Sequence, residues 1–155
     1  MKKTLYYVLV LLLLTSVGCK DDEVFIPPQE QLEIDIELIK TYLVENNIDA
    51  IEHESGIFYI IHREGTGDTP TSSSAVKVNY KGNVMGEEEF FDQGTDVSFP
   101  LTGVITGWQI GIPLLSEGGA GTFYIPSGYG YGRSGTGNIP GNAILVFRVD
   151  LLDVL

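Results

Sequence analysis

Strict alternation is the feature that most constrains this chain. Between Ile144 and Leu152, the residues Leu145, Phe147, Val149 and Leu151 fall on every second position. Successive side chains of a strand point to opposite faces, so these four share one face of a sheet. Val76, Val78 and Tyr80 repeat the pattern, with Lys77, Asn79 and Lys81 between them. One face is therefore dry and the other wet. Shorter strand signals lie at 57–61, 97–101 and 122–125, the first closed by Gly65-Thr66-Gly67. Thr106 to Leu115 reads as a short helix holding Trp108, with Gly118-Gly119 after it. The 19 glycines fit a β-rich domain with many turns. Several short strands and one short helix imply an α+β domain, an antiparallel sheet packed on a helix.

The amino-terminal third is different. Lys2 and Lys3 precede an apolar run from Leu5 to Leu14, then Ser16-Val17-Gly18-Cys19. A basic start, a short apolar stretch and a small residue before a cut describe a secretory signal peptide, expected at 1–18. The run is short for a membrane span, which needs about 20 apolar residues. Cys19 is the only cysteine, so no intramolecular disulfide can form. Its setting resembles the bacterial lipobox, whose cysteine is lipidated and becomes the new amino terminus. That resemblance implies a lipid-anchored envelope protein. Lys20, next after the cysteine, favours the outer membrane over the inner, facing the periplasm or the cell surface. Residues 19–29 are charged and carry Pro27-Pro28, a stiff tether.

From Glu30 to Asn47, Leu32, Ile36, Ile39 and Leu43 recur at spacings of 4, 3 and 4. They form one face of an amphipathic helix, expected over 30–48 and ahead of a domain at 49–155. The helix has two readings: it packs on its own domain, or it contacts another protein.

Composition removes several functions. The net charge is −12. Removing 1–18 takes two lysines and no acid, leaving seven basic residues against 21 acidic, or −14. Phosphate binding needs basic patches, so nucleic acid is not an expected partner. Gly130-Tyr131-Gly132-Arg133-Ser134-Gly135 fits G-x-G-x-x-G. That motif holds a dinucleotide only where it opens a helix. Here Gly137 and Pro140 follow, so the stretch is read as a glycine-rich flap. His53 and His62 have no metal-ligand spacing, and no metal or other cofactor is expected. Glu87-Glu88-Glu89 reads as a solvated turn.

The aromatic supply is eight Tyr, seven Phe and one Trp. The following occur in order: Val76-x-Val-x-Tyr80-x-Gly82, Phe91-Asp92, Val104-Ile105-x-Gly107-Trp108-x-x-Gly111, Ile125-Pro126, Tyr131-Gly132, Ile139-Pro140 and Asn142-Ala143-x-Leu145-x-Phe147-x-Val149-x-Leu151-Leu152. This series resembles the FK506-binding-protein (FKBP) type peptidyl-prolyl cis-trans isomerases over about residues 56–155. The resemblance implies a twisted antiparallel half-barrel wrapped around a short helix, with an apolar pocket between. Trp108 would floor the pocket, and Tyr80, Phe91, Val104, Ile105, Tyr131, Ile139 and Phe147 would line it. The Ile105 N–H and the Tyr131 hydroxyl would donate to substrate carbonyls, and Asp92 would stand at the wall. The expected activity is rotation about X-Pro bonds in exported proteins. Expected ligands are proline-containing peptides and macrolides such as rapamycin and tacrolimus.

The chain departs from the family pattern in places. Asn79 stands where many members have His, on the wet face, where it is expected to matter little. Gly130 replaces a usual Ala and is expected to loosen the flap. Gln93-Gly94-Thr95-Asp96 reads as a short loop without the basic residue common near the acid. Two alternatives to an enzyme remain from the sequence: a proline-binding module with little turnover, or an envelope-complex part using the 30–48 helix.

Overall fold

The computed structural model describes residues 25–155; the signal-peptide, Cys19 and Lys20 expectations lie outside them. Helix α1 spans Pro28–Glu45. Its first turn suits proline, which lacks an N–H and has φ fixed near the helical value. The helix ends in a Schellman arrangement: Ile48 N–H bonds Leu43 O at 2.8 Å and Asn47 N–H bonds Val44 O at 3.1 Å. Asn47 takes the left-handed position with φ 53°, which asparagine tolerates better than most residues.

Six strands follow: β1 Ile51–Glu52, β2 Phe58–Arg63, β3 Ala75–Val84, β4 Phe90–Pro100, β5 Ala120–Ile125 and β6 Leu145–Val154. They form one sheet in the order β1-β2-β5-β6-β3-β4, with each neighbouring pair antiparallel. The short helix α2, Thr106–Gly111, runs into a 3-10 turn at Ile112–Leu114. The α+β architecture expected from the alternation is therefore the one found.

Both faces of the sheet are covered, but by different helices. On one face, α2 brings Trp108 and the turn after it brings Ile112, against Val76, Val78, Phe123, Ile125, Leu145, Phe147, Val149 and Leu151. Gly107 and Gly111 make this close approach possible. A Cβ at Gly107 would run into Ile125, and one at Gly111 would lie 3.0 Å from Phe123 Cδ1. On the other face, α1 seats Ile39 and Leu43 on Phe58, Tyr124 and Ile144. Burying two such side chains contributes about 1.5–3 kcal/mol each. Sandwiched between the two layers, β5 is buried at every position.

Leu32 and Ile36 are half-buried while Ile39 and Leu43 are buried, so the expected face of α1 packs on its own domain. Ile34, Leu38 and Val44 remain exposed on its outer side. Glu30, Glu33 and Glu37 lie beside Ile34 and Leu38, which makes an apolar patch too small to demand a partner.

Two expectations are corrected. Residues 93–96 are not a loop: they continue β4, with a register shift opposite Val78/Tyr80. Asp96 takes φ 55° there, and its N–H bonds Asn79 Oδ1 at 2.9 Å. Asn79 therefore has a definite task on the wet face, pinning this irregularity with a side-chain acceptor.

Candidate active site

The pocket forms where β3, β4 and β6 meet α2 and the flap. β3 supplies Tyr80, β4 supplies Asp92 and Phe99, β6 supplies Phe147, and α2 supplies Trp108. The turn before α2 gives Gly103, Val104 and Ile105, and the 127–142 flap gives Tyr131. Together they line a cavity of about 270 Å³.

Its floor is the Trp108 indole, only 4% exposed. Tyr80, Phe147 and Phe99 stand nearly perpendicular to it, with centroids at 5.1, 5.3 and 5.6 Å. This edge-to-face arrangement sets ring edges against ring faces, the favoured contact for aromatic quadrupoles. The indole Nε1–H is buried without an oxygen or nitrogen partner among the described residues. The surrounding ring faces are weak acceptors for such a donor.

Phe91 packs across Phe147 at 5.6 Å and Tyr131 at 6.4 Å, both close to perpendicular. It does not line the Trp108 cavity. With Ile139 it lines an adjoining depression of about 460 Å³ that shares Asp92 and Tyr131. Of the residues expected from the sequence, Tyr80, Asp92, Val104, Ile105, Trp108, Tyr131 and Phe147 thus surround one cavity. Phe91 and Ile139 stand beside it.

Phe99 and Gly103 were not anticipated. Phe99 is three residues beyond Asp96, where the irregularity in β4 hides the alternation that would have placed it. A larger depression, about 520 Å³, lies on the opposite face of the sheet around Asn79, Lys81, Gln93, Arg148 and Asp150. Most of its lining residues are polar, and Tyr80 is the one aromatic among them.

The polar groups of the pocket are few. Tyr80 Oη donates to Asp92 Oδ2 at 2.8 Å. Burial, then this bond and the negative charge of Asp92, push the Tyr80 phenol up to about 12. Burial and, less strongly, Asp92 also raise the Tyr131 phenol. Both hydroxyls therefore stay protonated and able to donate at physiological pH. Among the described residues, neither the Ile105 N–H nor the Tyr131 hydroxyl bonds another protein group. The Ile105 backbone is nonetheless held, since its carbonyl accepts from Trp108 N–H at 3.0 Å. Next to it, the Val104 carbonyl accepts from Gln109 Nε2 at 2.9 Å.

The flap is not loose. Thr136 and Ile139 exchange two backbone bonds, at 3.0 and 2.8 Å, and Asn142 N–H bonds Gly132 O at 2.9 Å. A Cβ on Gly130 would lie 2.7 Å from Leu145 Cδ1. The glycine there reflects lack of room, which overturns the expected loosening.

Fold and site together define an α+β domain with a small cavity between aromatic walls and a few fixed donors at its edge. The family model for FKBP-type peptidyl-prolyl cis-trans isomerases matches residues 67–152, and the chain belongs to this family. The FKBP-type peptidyl-prolyl cis-trans isomerase FkpA of Aeromonas hydrophila is 41% identical over 104 residues, covering 65% of this chain and 39% of that protein. FkpA of Escherichia coli K12 is 41% identical over 103 residues, covering 64% and 38%. The chain thus spans about two fifths of the length of these curated relatives. The crystal structure of Escherichia coli FkpA superposes with a TM-score of 0.69 at 35% identity, covering 81% of this chain and 63% of that one. A peptidyl-prolyl isomerase from Pseudomonas syringae pv. tomato DC3000 gives 0.69 at 28% identity, covering 84% and 97%.

Proposed function

We propose that this protein accelerates cis-trans rotation about X-Pro bonds, with the Trp108 cavity as the seat of the proline ring. The observation that carries this reading is the enclosure of one small apolar cavity by five aromatic residues and Asp92, with the Ile105 N–H and the Tyr131 hydroxyl left for a ligand. Rotation meets a barrier of about 18–20 kcal/mol because amide resonance is lost. No bond breaks, so the residues need supply neither a nucleophile nor a proton. A twisted amide is less charge-separated than a planar one, and an apolar site favours it relative to water. Trp108, Tyr80 and Phe147 would grip the ring. Ile105 N–H and Tyr131 Oη would hold the flanking carbonyls in the twisted geometry, binding the transition state better than the ground state. Lowering the barrier by about 5–8 kcal/mol would give roughly 10⁴–10⁶-fold acceleration. Asp92 would orient Tyr80 and polarise the wall without moving a proton.

The substrates would be proline-containing segments of exported proteins, and macrolides such as rapamycin or tacrolimus would compete for the cavity. The mature chain would be anchored through lipidated Cys19 in the cell envelope, with residues 19–29 as tether.

The test is cis-to-trans isomerisation of a short X-Pro peptide by the purified full chain, with and without rapamycin. Acceleration that rapamycin blocks, and that Asp92→Val and Tyr131→Phe weaken, supports the reading. A folded protein without acceleration refutes catalysis. If that protein still bound rapamycin, the pocket would serve binding alone.

A further inference from the structure

We infer that Asp35, on α1, is a positioning residue for the pocket: through Ser127 it fixes the turn that presents Tyr131. The inference rests on the isomerase reading above. Asp35 is fully buried, on the face of α1 that otherwise packs Ile39 and Leu43. Burying a carboxylate is expensive unless its oxygens are bonded, and packing alone would be served as well by an apolar residue.

Its oxygens are bonded. Oδ2 accepts from the Ser127 backbone N–H at 2.7 Å and from Ser127 Oγ at 2.6 Å. Oδ1 accepts from Gln31 Nε2 at 2.7 Å, one helical turn earlier. Bonds to an ionised acceptor are short and roughly twice as strong as neutral ones.

The place of Ser127 gives the contact its meaning. β5 ends at Ile125, and the chain leaves the sheet through Pro126 into a 3-10 turn at Ser127–Tyr129. The Ser127 carbonyl accepts from Gly130 N–H, and the Pro126 carbonyl from Tyr129 N–H, both at 3.0 Å. Tyr131 is the next residue. A run of hydrogen bonds and one peptide link therefore connects the buried acid to the pocket hydroxyl. Asp35 lies outside the segment matched by the family model, whereas Ser127 lies inside it. α1 is thus part of the working unit and not only its support.

The test uses the purified full chain and four variants: Asp35→Ala, Ser127→Ala, Asp35→Asn and Leu43→Ala. Leu43→Ala loosens α1 at Phe58 and Tyr124 without touching Ser127. All are assayed at a temperature where circular dichroism shows each folded. The readouts are kcat and KM on an X-Pro peptide, and amide hydrogen exchange at residues 128–131.

Asp35→Ala and Ser127→Ala should lower kcat about tenfold with a smaller change in KM, within the 10²-fold that a remote misplacement can cost. Exchange at Tyr129 and Gly130 should speed up in both. Asp35→Asn keeps an acceptor for Ser127, and its amide can donate to Gln31 Oε1, so it should retain most activity. Leu43→Ala should keep the wild-type kcat. Unchanged kcat and exchange in folded Asp35→Ala would overturn the inference, and so would an equal loss in Leu43→Ala. If the wild-type chain shows no acceleration, the isomerase reading fails first, and exchange at 128–131 still decides the tether.

Discussion

Gly82→Ala adds one methyl group behind the pocket and should damage activity more than stability. Gly82 lies on β3 opposite Phe147 on β6 and Asp92 on β4. A Cβ built there falls 2.5 Å from Phe147 Cε1, 2.9 Å from Phe147 Cδ1 and 2.9 Å from Phe91 Cζ. Carbon atoms sit comfortably at about 3.5–4.0 Å, so the Phe147 ring must retreat by about 1 Å or the strand must bow. Retreat has little room, because Phe147 is 3% exposed and stands edge-on to Trp108 at 5.3 Å.

Overpacking of this kind costs about 1–3 kcal/mol. Alanine recovers about 0.5–1 kcal/mol, since glycine gives up more chain entropy in a strand. The net loss is about 1 kcal/mol, a fall in Tm of roughly 3–5 °C for a chain of this size. Activity should fall further, because Phe147 walls the cavity and Phe91 supports Tyr131. A displacement near 1 Å can cost up to about 10²-fold, so a drop of 10- to 100-fold in kcat/KM is expected. Gly128→Ala is the control, since a Cβ there meets nothing within 4 Å and no positive φ opposes it. Thermal unfolding and peptide isomerisation of both variants decide the matter. If Gly82→Ala keeps kcat/KM within twofold of wild type, the aromatic walls are not the working geometry.

Four further outcomes follow from the same geometry. Because Tyr80 is raised to about 12 and Tyr131 is also raised, kcat/KM should stay flat from about pH 6 to 9. A phenol raised by folding contributes stability that is present below its unfolded value and is lost as pH rises through its folded one. The domain should therefore lose stability between about pH 10 and 12, as followed by a denaturant titration at each pH. Tyr80→Phe removes the 2.8 Å bond to Asp92 but leaves the ring contacts. Asp92 is exposed and water can replace the donor, so thermal unfolding should show a loss of only about 0.5–1 kcal/mol. Gly135→Ala should open the flap, because Gly135 has φ 64° and ψ −166° and a Cβ there would strike the Ile139 carbonyl. That backbone region is nearly glycine-only and costs about 1–3 kcal/mol to others, so faster amide exchange at Thr136 and Ile139 is expected.

Much of the fold was legible because it is written locally. A period of two at Val76–Tyr80 and Leu145–Leu151 needs no knowledge of the partner strand, and the spacing of Leu32, Ile36, Ile39 and Leu43 fixes which side of α1 is buried. The candidate site was legible through the ordered series of motifs that resembles the FKBP family, and not through any one aromatic residue alone. What was missed depends on register. Gln93 to Asp96 reads as a loop because glycine and aspartate break the alternation. The structure keeps them in β4 by letting Asp96 take a positive φ and bonding it to Asn79. Phe99 falls beyond that irregularity, so counting from Phe91 cannot tell which face it will take.

Asp35 shows the deeper limit. An acid on a helix with four other acidic residues reads as one more solvated charge, although its place four residues before Ile39 sets it beside the apolar stripe. Its burial follows from a contact 92 residues away, where Ser127 happens to leave the sheet. The hydrophobic pattern specifies that α1 lies on Phe58 and Tyr124, and only then does Asp35 meet Ser127. Apolar periodicity thus determines the placement of layers, while the polar contacts that couple those layers to the pocket appear only once the layers are in place. The polar contact in turn sharpens the placement: a buried carboxylate tolerates few registers, whereas leucine on a sheet tolerates many. The fit of α1 to the sheet and the setting of Tyr131 are therefore one problem, solved at a single serine.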